Sequence, residues 1–76
     1  SVAHKFVNGR TEDVPVNELQ EEDLILIRPG EQVPIDGEVT EGTSSVNEAF
    51  LTGESRPVVK QMGEEVVAGA VNGEGA

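Results

Sequence analysis

Cysteine is absent from this 76-residue chain, and so are tryptophan and tyrosine; two phenylalanines are its whole aromatic complement. Without thiols, neither a disulfide nor a thiolate-held metal can staple the fold. The compartment stays open, with nothing to suggest a secreted scaffold. Without large aromatics, the core has to be assembled from Val, Ile, Leu and Ala. Basic residues are scarce: five Lys and Arg stand against fifteen Asp and Glu, a formal net charge of −10. That balance argues against a nucleic-acid backbone or an anionic membrane surface as partner. It fits a module that meets a basic partner, and equally one whose charge serves only solubility.

Long apolar runs are missing too. The longest, Leu24-Ile25-Leu26-Ile27, is far too short to span a bilayer, and no signal-peptide pattern opens the chain. A soluble body is therefore expected. The length allows one small domain, near the size where a single core barely outweighs chain entropy. Ser1 is not an initiator methionine, and Asn72-Gly73-Glu74-Gly75-Ala76 stops without a closing element. Residues 1–76 are accordingly read as one domain taken from something longer.

What is there is mostly strand and turn. Residues 3–7 lean towards β, and Asn8-Gly9 is a strong two-residue hairpin signal. Residues 10–16 form the returning strand, with Val14 and Val16 on one face and Pro15 at an edge or a strand end. Residues 17–23 make a polar connection with room for one helical turn that tucks Leu19 inward. Residues 24–27 are four aliphatics in a row, the pattern of a strand buried on both faces, and are expected to be the centre of the core. Pro29-Gly30 suits the middle of a type II turn. Residues 32–37 are extended and then turn, residues 38–41 alternate as a half-exposed strand, and Gly42-Thr43 turns again. Residues 56–60 are extended, 61–64 turn, and 65–71 supply the last strand or pair of strands. Short strands with turns every eight to twelve residues point to a small all-β sandwich or barrel.

The remaining stretch, Val46 to Val58, is the one the chain is organised around. Asn47 can cap a single helical turn ending near Leu51. Thr52-Gly53-Glu54-Ser55 then bends, with apolar flanks placed to pin both ends to a core. Gly53 allows a close approach by another surface, Glu54 offers a carboxylate outward, and the hydroxyls of Thr52 and Ser55 can hold the bend or meet an anion. On those four letters alone, an ordinary surface turn is the better reading.

The wider pattern changes that. Leu51-Thr52-Gly53-Glu54-Ser55, followed by Pro57-Val58 and Lys60, resembles the signature loop of the actuator domain of P-type ATPases. Glu22-Asp23-Leu24-Ile25, the block from Arg28 to Gly37, and Val66-Val67-Ala68-Gly69-Ala70-Val71-Asn72-Gly73 agree with that family in order and spacing. The close spacing is most similar to the heavy-metal-transporting branch. Two positions depart from the family pattern: Glu22 stands where Gly is frequent, which bears on that turn's backbone, and Asn47 stands where Asp is frequent.

The resemblance implies a distorted jelly-roll, a double-stranded β-helix-like sandwich with short turns. It implies that Glu54 orients a water and takes its proton as an aspartyl-phosphate on another domain is hydrolysed. Gly53 would keep the approach clear, Thr52 would bond the phosphate or the water, and Ser55 would steady the loop. The implied partners are the phosphorylation and nucleotide-binding domains of the same chain, flanking transmembrane helices, and a heavy-metal ion, copper ahead of zinc or cadmium. That ion is not bound here. No cofactor is expected in this domain; ATP and magnesium belong to the parent's other domains, and the location is the cytoplasmic face of a membrane. By itself the domain is expected to be inactive. The competing reading is a non-catalytic acidic β-sandwich interaction module. A biotinyl- or lipoyl-like carrier lacks its lysine on a tight hairpin.

Other residues carry two readings each. Asp36-Gly37 reads better as a structural turn than as a catalytic pair. Glu48 is a loop-fastening acid rather than a solvated one, and Arg56 is either a partner contact or a surface cation. His4 reads as an edge-strand residue and not as a ligand. Glu21-Glu22-Asp23 and Glu64-Glu65 lack the spaced oxygens of a hard-cation loop. Met62, the single sulfur, cannot make a site for a soft metal alone.

Overall fold

The computed structural model describes residues 2–54 and 56–75. Its first element is a hairpin: β1 (Val2–Val7) pairs antiparallel with β2 (Arg10–Pro15), Val7 opposite Arg10. Asn8 and Gly9 turn the chain with φ of 53° and 80°, both central residues left-handed as the tight hairpin turn requires. Pro15 falls on the last position of β2, where its missing N–H costs no ladder bond inside a sheet. A 3-10 turn (Val16–Glu18) follows and leaves Leu19 half-buried.

β3 (Ile25–Leu26) adds to the free edge of β1, completing a sheet in the order β2-β1-β3. A tight turn over residues 28–31 follows, closed by the Glu31 N–H on the Arg28 carbonyl at 3.1 Å, with Gly30 at φ 82°. β4 (Gly37–Glu38) pairs with β7 (Glu65–Val66) in a small two-stranded sheet. A third sheet, order β6-β5-β8, joins β5 (Thr43–Asn47), β6 (Pro57–Gln61) and β8 (Val71–Asn72). Every described pairing is antiparallel, so the body is all-β, with one helical turn, α1 (Ala49–Thr52), inserted between β5 and β6.

Two expectations need correction. The centre of the core is Val33, Val46 and Ala70, with Ile27, Val66 and Val67 packed against them, not the run at 24–27. Only Ile25 and Leu26 of that run are in a strand, which pairs with β1 alone, and Leu24 is 43 % exposed. All four residues of the run line an open trough of about 1450 Å³ with Ile35, Val39 and Val66, and Ile27 also packs against the core. A run of four aliphatics specifies burial demand, and the neighbours decide how much of it is met. The second correction concerns the flanks of the central loop. Val46 is buried, but Phe50 and Leu51 are 57 % and 62 % exposed, so the anchor sunk in the core belongs to β5 and not to residues 50–51.

Candidate functional site

α1 is a single turn, and a single turn does not stand on propensity. Side chains and caps hold it. The Asn47 Oδ1 accepts the Ala49 N–H at 2.8 Å as an Asx-type turn; Glu48 holds the N-cap position itself and caps with no side-chain bond. The Glu48 carbonyl accepts the N–H groups of Leu51 and Thr52 at 2.9 and 3.1 Å. At the far end Gly53 takes φ 76° and donates its N–H to the Ala49 carbonyl at 2.7 Å. That is a left-handed C-cap, which glycine adopts without a Cβ penalty. Among the described residues, and its chain neighbours aside, no atom lies within 4 Å of where a Gly53 Cβ would sit, so that side of the loop is open.

The Thr52 hydroxyl works inside the loop. It accepts the Glu54 N–H at 3.2 Å and lies 3.3 and 3.4 Å from the Glu48 and Glu54 carbonyls, to either of which its proton can be given. Glu54 is thereby held by its backbone while its side chain stays 66 % exposed. The nearest cation is Arg56, itself 83 % exposed, with its guanidinium 3.8 Å from the Glu54 carboxylate. An ion pair that open to water is weakly held and can be exchanged for another contact. Ser55, which the sequence reading puts beside Glu54, lies outside the described residues.

Under the loop, the Glu48 carboxylate sits 3.6 Å from the Lys60 ammonium on β6, with exposures of only 14 % and 18 %. This matches the loop-fastening reading of Glu48. On the other flank the Phe50 ring lies across Gly69, its carbons 3.2 to 3.5 Å from where a Gly69 Cβ would be. Gly69 also has φ 96°, so both space and backbone call for glycine there.

The remaining candidates are committed elsewhere. The Asp36 carboxylate accepts the Ala68 N–H at 2.7 Å, tying two loops together. Asp23 accepts the Gln20 N–H at 2.8 Å and faces Lys5 at 3.6 Å; Glu64 accepts the Gln61 N–H at 3.0 Å. Asp23 and Glu64 thus close turns, while Asp36 joins loops far apart in sequence. Met62 is 70 % exposed. His4 is the residue the sequence reading undervalued most: its two ring nitrogens each meet a carboxylate at 2.7 Å, Asp13 on one side and Glu31 on the other. Those partners are nine and twenty-seven residues away, a separation at which no local pattern signals them.

The arrangement can present one carboxylate, with a clear approach, to a group outside the domain. A family model described as the P-type ATPase actuator domain matches residues 1–76. A "Copper-exporting P-type ATPase B" of Archaeoglobus fulgidus is 51 % identical over 76 residues, all of this chain and 11 % of that protein. A "Zinc-transporting ATPase" of Bacillus subtilis is 50 % identical over 71 residues, 93 % of this chain and 11 % of its own length. In three dimensions the chain superposes with a TM-score of 0.92 and 37 % identity on a crystal structure of a zinc-transporting PIB-type ATPase in the E2.Pi state. That match covers 96 % of this chain and 12 % of the other. The chain thus spans about a tenth of the length of the relatives it matches.

Proposed function

This chain belongs to the actuator-domain family of P-type ATPases, and from that premise we propose that Glu54 drives hydrolysis of an aspartyl-phosphate carried by another domain of the same pump. The observation that supports this reading most is Glu54 itself: a carboxylate 66 % exposed on a loop whose Thr52 hydroxyl bonds the loop's own backbone. In the step proposed, a water oxygen bonds to phosphorus and the bond to the aspartyl oxygen breaks. Glu54 orients that water and takes its proton, a contribution of typically 10²- to 10⁴-fold. Gly53 keeps the approach open. Thr52 acts by bracing the Glu54 backbone, a role its bonds favour over direct contact with phosphate. Ser55 stays a proposed loop residue. Arg56, loosely held by Glu54, is free to turn to the phosphoryl group or to the docking domain.

The domain supplies half of a site, so hydrolysis waits on docking, and docking moves whatever is joined to the domain's ends. Alone it has nothing to hydrolyse. The parent is proposed as a heavy-metal pump at the cytoplasmic face of a membrane, with ATP and magnesium handled by its other domains. Copper stays ahead of zinc as the transported ion, although relatives named for each are nearly equally similar over this stretch. In the full pump, Glu54→Gln is expected to let phosphoenzyme form but slow its decay by at least about a hundredfold. Decay at the unmodified rate would remove Glu54 from the step. Comparing stimulation of ATP hydrolysis by Cu(I) and Zn(II) assigns the ion.

A further inference from the structure

His4 lies on β1, outside the loop, and its surroundings are unusual for a lone histidine on a short strand. Asp13 reaches it from β2, its Oδ1 2.7 Å from Nδ1. Glu31 reaches it from the 28–31 turn, its Oε2 2.7 Å from Nε2. The imidazole is only 13 % exposed. A neutral imidazole has one N–H and one lone pair, so it would set that lone pair against a carboxylate oxygen at 2.7 Å. Only the imidazolium, with two N–H donors, satisfies both contacts. The carboxylates address opposite edges of the ring, which is the geometry of two hydrogen bonds and not of ligands converging on one ion.

The contacts also span a joint. Asp13 and His4 both belong to the amino-terminal hairpin. Glu31 belongs to the body: its Oε1 accepts the Arg28 N–H at 2.8 Å and its carbonyl accepts the Asn72 N–H at 2.8 Å, while Gly30 donates to the Asn72 carbonyl at 2.8 Å. Asn72 is on β8, which pairs with β5, and β5 leads directly into α1 and the Glu54 loop. We infer that protonated His4 is a latch fastening the hairpin to the sheet that bears the loop, and that losing its proton loosens the joint. This goes beyond the hydrolytic reading and does not depend on it.

The charged groups facing His4 are Asp13 from β2 and Glu31 from the turn, with Arg28 acting on Glu31; Lys5, the next residue on β1, alternates to the other face, where it meets Asp23. The hydrogen bond to Glu31, then that to Asp13, holds the His4 pKa above its ordinary 6.5. The hydrogen bond from His4, then that from the Arg28 amide, holds Glu31 below its ordinary 4.5. A raised histidine contributes in full below 6.5 and is lost as pH climbs through its folded value; a lowered carboxylate contributes above 4.5 and is lost as pH falls through its own. The latch is therefore tightest between those two ordinary values and slackens on the alkaline side. On deprotonation the remaining N–H stays with Glu31, which Arg28 anchors. Asp13, 64 % exposed, turns to water, and one bond from a neutral donor to a carboxylate replaces two between opposite charges.

The test is a titration of this chain followed by NMR of the His4 ring and by amide hydrogen exchange. Both ring N–H protons are expected at pH 6, with a midpoint above 6.5. Through that midpoint, protection of the β1–β2 amides should fall about two- to fivefold relative to those of β5–β6, after correction for intrinsic exchange. Asp13→Asn, at an exposed position that leaves folding intact, should lower the midpoint. Glu31→Gln should lower it further and uncouple hairpin protection from the titration. A midpoint at or below 6.5, or hairpin protection that tracks β5–β6 throughout, overturns the latch.

Discussion

Glu22 holds a backbone angle that suits another residue. Its φ is 73°, in the left-handed region that glycine enters most readily. A residue with a Cβ loses roughly 1 kcal/mol there, while glycine gives back part of that through a more disordered unfolded chain. The first effect is the larger, so Glu22→Gly should stabilise the fold by about 0.5 kcal/mol. A urea midpoint that rises at unchanged slope would show it; a fall would mean that the Glu22 side chain contributes more than its backbone costs. Residue-level features were legible where their chemistry is local. Asn8-Gly9 and Pro29-Gly30 specify their turns through two neighbouring letters, and both turns form. Asp36-Gly37 read as a turn, but Gly37 opens β4 and the Asp36 carboxylate instead ties in the Ala68 amide, thirty-two residues on. The two carboxylates around His4 were invisible because nothing near it in sequence marks them.

At the level of elements, the helical turn after Asn47 could be read from its cap and the bend at residue 53 from its glycine. What could not be read is how the turn is seated. Lys60 looks like any strand lysine until β6 is laid beside β5 and brings its ammonium under Glu48. Replacing Lys60 by Met keeps the aliphatic stem but leaves a poorly hydrated Glu48 carboxylate without its counter-charge. Exchange at the Leu51, Thr52 and Gly53 amides should then quicken. In the full pump, phosphoenzyme decay should slow about three- to tenfold, far less than for Glu54→Gln. The swap Glu48→Lys with Lys60→Glu should recover much of the loss, an outcome that mere destabilisation does not produce. The run at residues 24–27 shows the opposite limit. Its strand character was legible, but its burial depended on which edges find partners, and composition does not encode that.

On the scale of the whole molecule, charge sets the balance. Five ion pairs are formed among the described residues, two of them through His4, and they contribute little where they are exposed. Against them stands a net charge of −10 on a chain of 76 residues, whose like charges repel one another in the compact state. Repulsion outweighs attraction here, so salt should stabilise. Between about 10 and 200 mM NaCl the thermal midpoint is expected to rise by roughly 2–5 °C. A midpoint that drops would show that the ion pairs dominate. The all-β class and the loop's place in it followed from turn spacing and from the resemblance. The open trough did not, since apolar letters say that a surface wants cover without saying whether it has any.

The exposed tip carrying Glu54 and Arg56 rides on this acidic body, and the body has a bearing on how the tip is delivered. A phosphorylated surface is anionic as well, so two such bodies drifting freely in solution would hold each other off at low ionic strength. Affinity is therefore a poor means of bringing them together. A covalent leash solves the problem differently, by keeping the two within reach at an effective concentration on the order of millimolar whatever their mutual field. On the proposed reading, a loop that grips weakly and a body that repels would then be assets: the visit would be brief, and the pieces would part cleanly once the phosphate had gone.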